Sequence, residues 1–302
     1  KEEWLYQKKL KKYAQEVALF TRLNREFNLG ASFSEAKDIE SKTRENALFL
    51  PVVAQFNGLI SQEILAWFDK LTIISNLRSE EFKHFSFEML EDEEFREKIV
   101  KFIKSADTGI TDIKKKKIDF ASLNIESDEL KELPDFLLEK LKEEGLSTVE
   151  TMHMQYDNNN MFKQLKSFSL NFESDGTQKL LALSAPLIDA LLNGEIIVVD
   201  ELDNSLHTDL VQAIVKLFNC PKSNPNNAQL IFSTHDTNLL NQELFRRDQI
   251  WFVQKDIYGS SELYSLIEYG EGKIREDLAL EKNYLNGKFG GKPYISSSLM
   301  EL

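Results

Sequence analysis

The chain has 302 residues, 42% of them hydrophobic, and a formal net charge of −13 at pH 7. That is enough apolar material for one large domain or two lobes. The acidic balance opposes indiscriminate binding to nucleic acid. No run approaches twenty apolar residues, so no transmembrane helix or membrane partner is expected. The single cysteine, Cys220, excludes an intramolecular disulfide or Cys-rich zinc site and fits a cytoplasmic protein.

In chain order, residues 1–46 alternate charged and apolar positions, as in Trp4-Leu5-Tyr6 and Val17-Ala18-Leu19-Phe20, and predict edge strands of an antiparallel sheet. Ala47 to Ala54 reads as an apolar strand interrupted by Pro51 and leading to Gln55. Residues 59–145 read as mostly helical. Ile60, Ile64, Leu65, Trp67, Phe68 and Leu71 form an apolar stripe whose aromatic residues are expected in the core. Ser86–Ser105 and Ser127–Glu144 repeat the helical pattern, with Gly145 as a stop. No heptad pattern persists long enough for a long coiled coil.

Thr148–Tyr156 and Leu165–Phe172 alternate around Asp157-Asn158-Asn159-Asn160, a hairpin signal. The hairpin delivers Glu173-Ser174-Asp175-Gly176-Thr177-Gln178 to the start of a helix carrying Leu180, Leu181, Leu183, Leu187, Ile188, Leu191 and Leu192. Ser, Asp and Thr there are ordinary N-caps, but a helix N-terminus also suits an anion. Ile196–Val199 is a strand of β-branched residues, buried on both faces, running into Asp200 and Glu201. The stretch Gln229–Thr237 reads as a second strand, with His235 just past its end. If the two strands are parallel neighbours, Glu201 and His235 share one sheet edge, where open α/β sheets place their ligands. Gln249–Gln254 and Glu262–Leu266 form two further strands around Tyr258-Gly259. Lys273–Tyr284 is a polar stretch with helical character, followed by a glycine-rich turn and a frayed Ser296-Ser297-Ser298 end.

Two lysine clusters, Lys8–Lys12 and Lys114–Lys117, point weakly to nucleic acid. Such runs more often lie in solvated loops, and neither interleaves aromatic residues at stacking intervals.

The ordered set of Ser174–Gln178, Ile196–Glu201, Leu202–His207 and His235 resembles the second half of an ABC-type ATPase domain, in the branch nearer to SMC proteins than to transporters. Arg44–Leu50, Lys104–Ile110, Arg246–Phe252 and Tyr284–Tyr294 extend the similarity to bacterial ABC-type ATPases of abortive-infection and related anti-phage systems, over about residues 44–295. The resemblance implies an α/β fold: an ABC-ATPase-like mixed β-sheet core, an antiparallel β region and an inserted helical lobe. Its parts would be residues 1–58, 59–147 and 148–302.

The resemblance also implies ATP and Mg²⁺ as ligands. Asp200 would hold Mg²⁺, Glu201 would serve as general base and His235 as switch histidine. Ser174, Gly176 and Thr177 would form a signature motif that clamps the γ-phosphate held by the opposite protomer. Asp203 would lie in the D-loop, and Gln55 would be a Q-loop residue contacting Mg²⁺ and the attacking water. Gln55 equally reads as an ordinary polar residue at a strand end. Implied partners are a second copy, joined in an ATP sandwich, and an effector such as a nuclease or toxin.

One departure is plain: Gly-x4-Gly-Lys-Ser/Thr, the Walker A motif, is absent. Gly287-Lys288-Phe289-Gly290-Gly291-Lys292-Pro293 has the wrong spacing, puts Pro where the metal-binding hydroxyl belongs, and lies downstream of Walker B. The expectation is therefore a portion of a longer protein that hydrolyses ATP only when whole. The alternative is an SMC-like repair or chromosome-maintenance ATPase that clamps DNA.

Overall fold

The computed structural model describes residues 2–11, 13–75, 79–118, 146–268 and 279–292. The chain divides into two units, Lys1–Thr72 and Ile73–Leu302.

In the first unit, β1 (Glu2–Lys8), β2 (Glu16–Leu23) and β3 (Glu26–Leu29) form the expected antiparallel sheet, in that order. A bulge between Leu5 and Tyr6 shifts the β1–β2 register. The segment expected as a third apolar strand is instead helix α1 (Phe49–Gln55). Two physical reasons explain the difference. Phe49 and Val53, both fully buried, are four residues apart and so share one helical face. Pro51 sits in the first turn, where its missing N–H has no intrahelical acceptor to lose. Gln55 therefore ends a helix and is exposed, so the strand on which its Q-loop reading rested does not exist.

Helix α2 (Leu59–Phe68) follows. Its N-terminal amides at Ile60 and Ser61 donate to the Glu35 carboxylate at 2.9 Å each. Gly58 makes room, because a Cβ there would stand 2.7 Å from Glu35 Oε1. Ile60, Ile64 and Leu65 are half-buried, but Trp67 and Phe68 are each 51% exposed, not core as expected. They meet edge to face in the last turn, at 5.1 Å between ring centres.

The second unit is built on a three-stranded sheet in the order β4 (Leu71–Ile74), β8 (Ile196–Val199), β9 (Gln229–Phe232); the unit boundary falls within β4. β8 and β9 are parallel, pairing Ile196 with Gln229 through Val199 with Phe232. Helices α5 (Asp175–Asn193) and α6 (Thr208–Asn219) cover the sheet with Leu183, Leu187, Val211 and Ile214, all essentially buried against Ile197 and Val199. Pro186 lies inside α5 and cannot donate to the Ala182 carbonyl four residues back. Ser86, fully buried on α3 (Ser79–Met89), takes over that carbonyl with a 2.9 Å hydrogen bond. Gly194 closes α5 at φ +70°, the left-handed conformation glycine adopts freely.

The segment 59–145 is less helical than expected. Its pattern over Ser86–Ser105 breaks into the end of α3 and α4 (Glu93–Lys104), because Asp92 caps α4 by accepting from the Phe95 amide at 2.7 Å. The Lys114–Lys117 run lies on β5 (Ile110–Ile118), a strand and not a solvated loop. β5 pairs antiparallel with β6 (Leu146–Tyr156), which pairs with β7 (Phe162–Ser169) around the Asp157–Asn160 turn as expected. Lys115 donates to Glu91 at 2.7 Å and Lys116 to Glu150 at 3.1 Å, so acids neutralise both. The expected Ser127–Glu144 helix and Gly145 stop lie outside the described residues, as does the Ser296–Ser298 end.

Strands β10 (Trp251–Lys255) and β11 (Ser261–Ser265) form the last antiparallel pair, followed by the short helix α7 (Leu280–Leu285). The glycine-rich turn packs on them. Phe289 is fully buried, Tyr264 donates to its carbonyl at 2.6 Å, and a Cβ on Gly290 would lie 2.3 Å from Gln254 Oε1. The packing of Phe289 and Gly290 gives it a structural role. Among the described residues, no helix is long and apolar enough to cross a membrane.

Candidate active site at the end of strand β8

Parallel pairing of β8 and β9 carries Asp200-Glu201 and Ser233–His235 to the same edge. The ladder continues past the strand ends: Asp200 N–H donates to the Ile74 carbonyl at 2.8 Å and Ser233 N–H to the Val199 carbonyl at 3.0 Å. Ser233 then forms a relay, its hydroxyl accepting from Glu201 N–H at 2.8 Å and donating to Asp200 Oδ1 at 2.6 Å. Asp200 is exposed, and the relay holds its carboxylate at the sheet edge.

Glu201 has φ +51°, in the left-handed region that a side chain other than glycine enters at a cost. Its carboxylate, 37% exposed, lies 3.5 Å from Nε2 of His235, whose side chain is 84% exposed. The backbone N–H of His235 donates to Asp203 Oδ2 at 3.4 Å, while Asp203 Oδ1 is buried with no hydrogen-bond partner among the described residues. A buried carboxylate oxygen left unpaired is costly, and such exceptions gather where something else is meant to bind.

Ser174 caps α5: its hydroxyl accepts from Thr177 N–H at 3.2 Å and lies 2.9 Å from the Thr177 hydroxyl. Glu173, just before it, is held by Thr151 and by His153 Nε2 at 2.8 Å, which anchors the entry to the helix on β6. Gly176 is required by packing, since a Cβ there would stand 2.5 Å from the carbonyl of Ser205. The α5 N-terminus and the loop after Glu201 are therefore in direct contact. Lys179 adds a second tie, donating to the Glu201 carbonyl at 2.8 Å. Burial pushes its ammonium below the ordinary lysine value, and the charges of Asp203 and Glu201 oppose that shift.

A mostly apolar cavity of about 220 Å³ opens beside these elements, walled by residues such as Phe82, Leu183 and Val199, with Lys179 and Asp200 among its polar lining. Ser75, which follows β4, the strand adjoining β8, lines the same cavity as Asp200. The reading of Ala47–Ala54 as a strand hid this, because β4 is only four residues long and follows an apolar helix. Ser233 and Lys179 were not anticipated either. A serine at a strand end and a lysine near the start of a helix carry no signal until the fold brings them to Asp200 and Glu201.

The predicted residues Asp200, Glu201, Asp203 and His235 thus meet at one edge, and Ser174, Gly176 and Thr177 stand at the helix terminus bolted to it. Among the described residues, no group of three or more His, Cys, Asp or Glu side chains could hold a metal ion unaided. The tethered Asp200 carboxylate is a donor of the kind that suits Mg²⁺, which is commonly bound through one or two carboxylates plus water and substrate phosphates.

No curated protein matches the chain. A family model described as "AAA domain, putative AbiEii toxin, Type IV TA system" matches residues 8–241. With well over half of its length matched, the chain belongs to this family of AAA domains.

Proposed function

We propose that this chain carries the signature, Walker B and switch-histidine part of an ATP-hydrolysing switch subunit in an abortive-infection type defence system, which controls a partner effector through ATP-dependent dimerisation. The observation that carries the reading is the Glu201–His235 pair, 3.5 Å apart at the carboxyl end of β8 beside the tethered Asp200. Glu201 takes a proton from the attacking water, and His235 stabilises charge developing on the phosphate. Asp200 would hold Mg²⁺, which when bound neutralises phosphate charge. Ser174 and the amides near Gly176 and Thr177 receive the γ-phosphate of the opposite protomer, as a helix N-terminus favours an anion. Asp203, with its unpaired buried oxygen, faces the same event from the D-loop. Hydrolysis also needs a P-loop, which these 302 residues do not contain, so the tests concern the full-length protein.

The test pairs plaque counts with pull-down of the genetically linked gene product. Glu201→Gln should slow ATP turnover by roughly 10²–10⁴-fold while preserving nucleotide binding. Both Glu201→Gln and His235→Ala should abolish protection. Ser174→Arg should be inactive alone and regain activity when mixed with a Walker A mutant, because each heterodimer then keeps one intact composite site. Full protection by the catalytic mutants overturns the reading. Loss of salt-sensitive DNA binding and of function on changing Lys114–Lys117 to Ala would replace it with the DNA clamp.

A further inference from the structure

The polar groups around Glu201 are arranged to hold its backbone as well as its carboxylate. A non-glycine residue in the left-handed region is strained and persists only where its surroundings enforce it. Here both backbone polar groups of the strained residue are taken. The Glu201 N–H is held by Ser233, which is tied to Asp200, and the Glu201 carbonyl is held by Lys179. The first restraint comes from the neighbouring strand. The second comes from α5, five residues after its capping Ser174.

We propose that Lys179 is a positioning residue, which locks the backbone of Glu201 to the helix that begins at Ser174 so that the hydrolytic base and the phosphate clamp move as one rigid piece.

Three observations support this. The Lys179 ammonium is directed to a backbone carbonyl at 2.8 Å, although the acids Asp203 and Glu201 are near enough to act on its charge. A lysine serving only to neutralise charge would be expected on a carboxylate oxygen. The same two segments meet again where Gly176 presses on the Ser205 carbonyl with no space for a Cβ, so the lysine tie is one of two. Finally, Lys179 is partly desolvated beside the cavity that also reaches Asp200, where a charge-assisted hydrogen bond is stronger than in open water. In a dimer of the proposed kind, a phosphate arriving at Ser174 of one subunit would thereby sense the position of that subunit's own Glu201. The coupling follows from direct contact and needs no long pathway.

This inference rests on the reading of Glu201 as the base, and its test separates the two. In the full-length protein, Lys179→Met keeps the aliphatic stem and removes the donors. It should lower kcat by about 10²-fold, the size expected for a misplaced catalytic group. Nucleotide affinity should remain within about twofold of the parent, since the lysine acts through Glu201 and not on bound ATP. Lys179→Arg should restore most of the turnover. Combining Lys179→Met with Glu201→Gln should cost no more than Glu201→Gln alone, as residues acting as a unit are non-additive. Should Lys179→Met fail to fold, Lys179→Gln takes its place, since its amide is polar but too short to span the gap. Wild-type turnover in a folded Lys179 variant, or losses that multiply with those of Glu201→Gln, overturns the positioning role while leaving the base intact. Wild-type turnover in Glu201→Gln itself overturns the base, and with it this inference.

Discussion

Two regions of this molecule hold carboxylates and use them in opposite ways. In the first unit, Glu3 gives one oxygen to Arg22 at 2.6 Å and the other to the Phe49 amide at 2.7 Å. Arg22, only 1% exposed, also donates to the carbonyls of Asn24 and Ala47. Glu35 likewise fills both oxygens from Ile60 and Ser61. At the end of β8, by contrast, Glu201 is strained, Asp203 has a buried oxygen without a hydrogen-bond partner among the described residues, and the His235 side chain is almost wholly in solvent. A cluster whose members satisfy one another stabilises the fold. A cluster that keeps strain and an unpaired buried oxygen costs stability, as functional sites commonly do.

That contrast is broken or sharpened by substitution. Glu201→Gly removes the proposed base and relieves the left-handed strain together. ATP turnover of the full-length protein should fall by roughly 10²–10⁴-fold. Resistance to urea should be unchanged or rise by up to about 1 kcal/mol. Marked destabilisation would place Glu201 with the structural acids.

Glu3→Ala should do the reverse, since it leaves the buried Arg22 without its counter-charge. Urea unfolding followed by circular dichroism should register a loss of about 3–5 kcal/mol. A loss below about 1 kcal/mol would mean that the carbonyls around Arg22 suffice without an acid.

Glu35→Gln should cost about 1–2 kcal/mol, as charge-assisted bonds at the start of α2 become neutral ones. Burial raises the Glu35 pKa, but the Ser61 hydroxyl and the Ile60, Ser61 and Leu59 amides outweigh it and hold the carboxyl below its ordinary value. The folded pKa is therefore the lower one. Its stabilisation is present above the ordinary carboxylate pKa and is lost as pH falls through the folded value. The gap between parent and Glu35→Gln should accordingly close in acid and stay open at neutral pH. A gap independent of pH refutes the assignment.

Lys115→Ala and Lys116→Ala should have the smallest effects, each within about 1 kcal/mol, because ion pairs reached by solvent contribute little. High salt should narrow even that difference, and a larger, salt-insensitive loss would mark them as core supports of β5.

Much of the site was legible because it depends on local order along the chain. A β-branched run ending in two acids, a second short strand ending near a histidine, and a capped helix before them each declare themselves by residue type and spacing. The antiparallel opening sheet and the β6–β7 hairpin were legible for the same reason, since alternation and an Asx-rich turn are local properties. The misreadings share a cause. Phe49–Gln55 is apolar enough for either a helix or a strand, and only burial of Phe49 with Val53 decides between them. The lysines of β5 hide a strand because their partners, Glu91 and Glu150, are distant in sequence.

The residues alone therefore determined which chemistry is present: two adjacent acids after a β-branched strand, a histidine one strand away, and a serine-capped glycine turn. Tertiary structure decided how those groups are held. It joined Asp200 to Glu201 through Ser233 and drew Lys179 onto the Glu201 carbonyl. Those restraints connect residues 22 to 33 positions apart. They exist only once parallel pairing of β8 with β9 and burial of α5 have brought distant backbone groups within hydrogen-bonding distance, and local residue pattern carries no record of that distance.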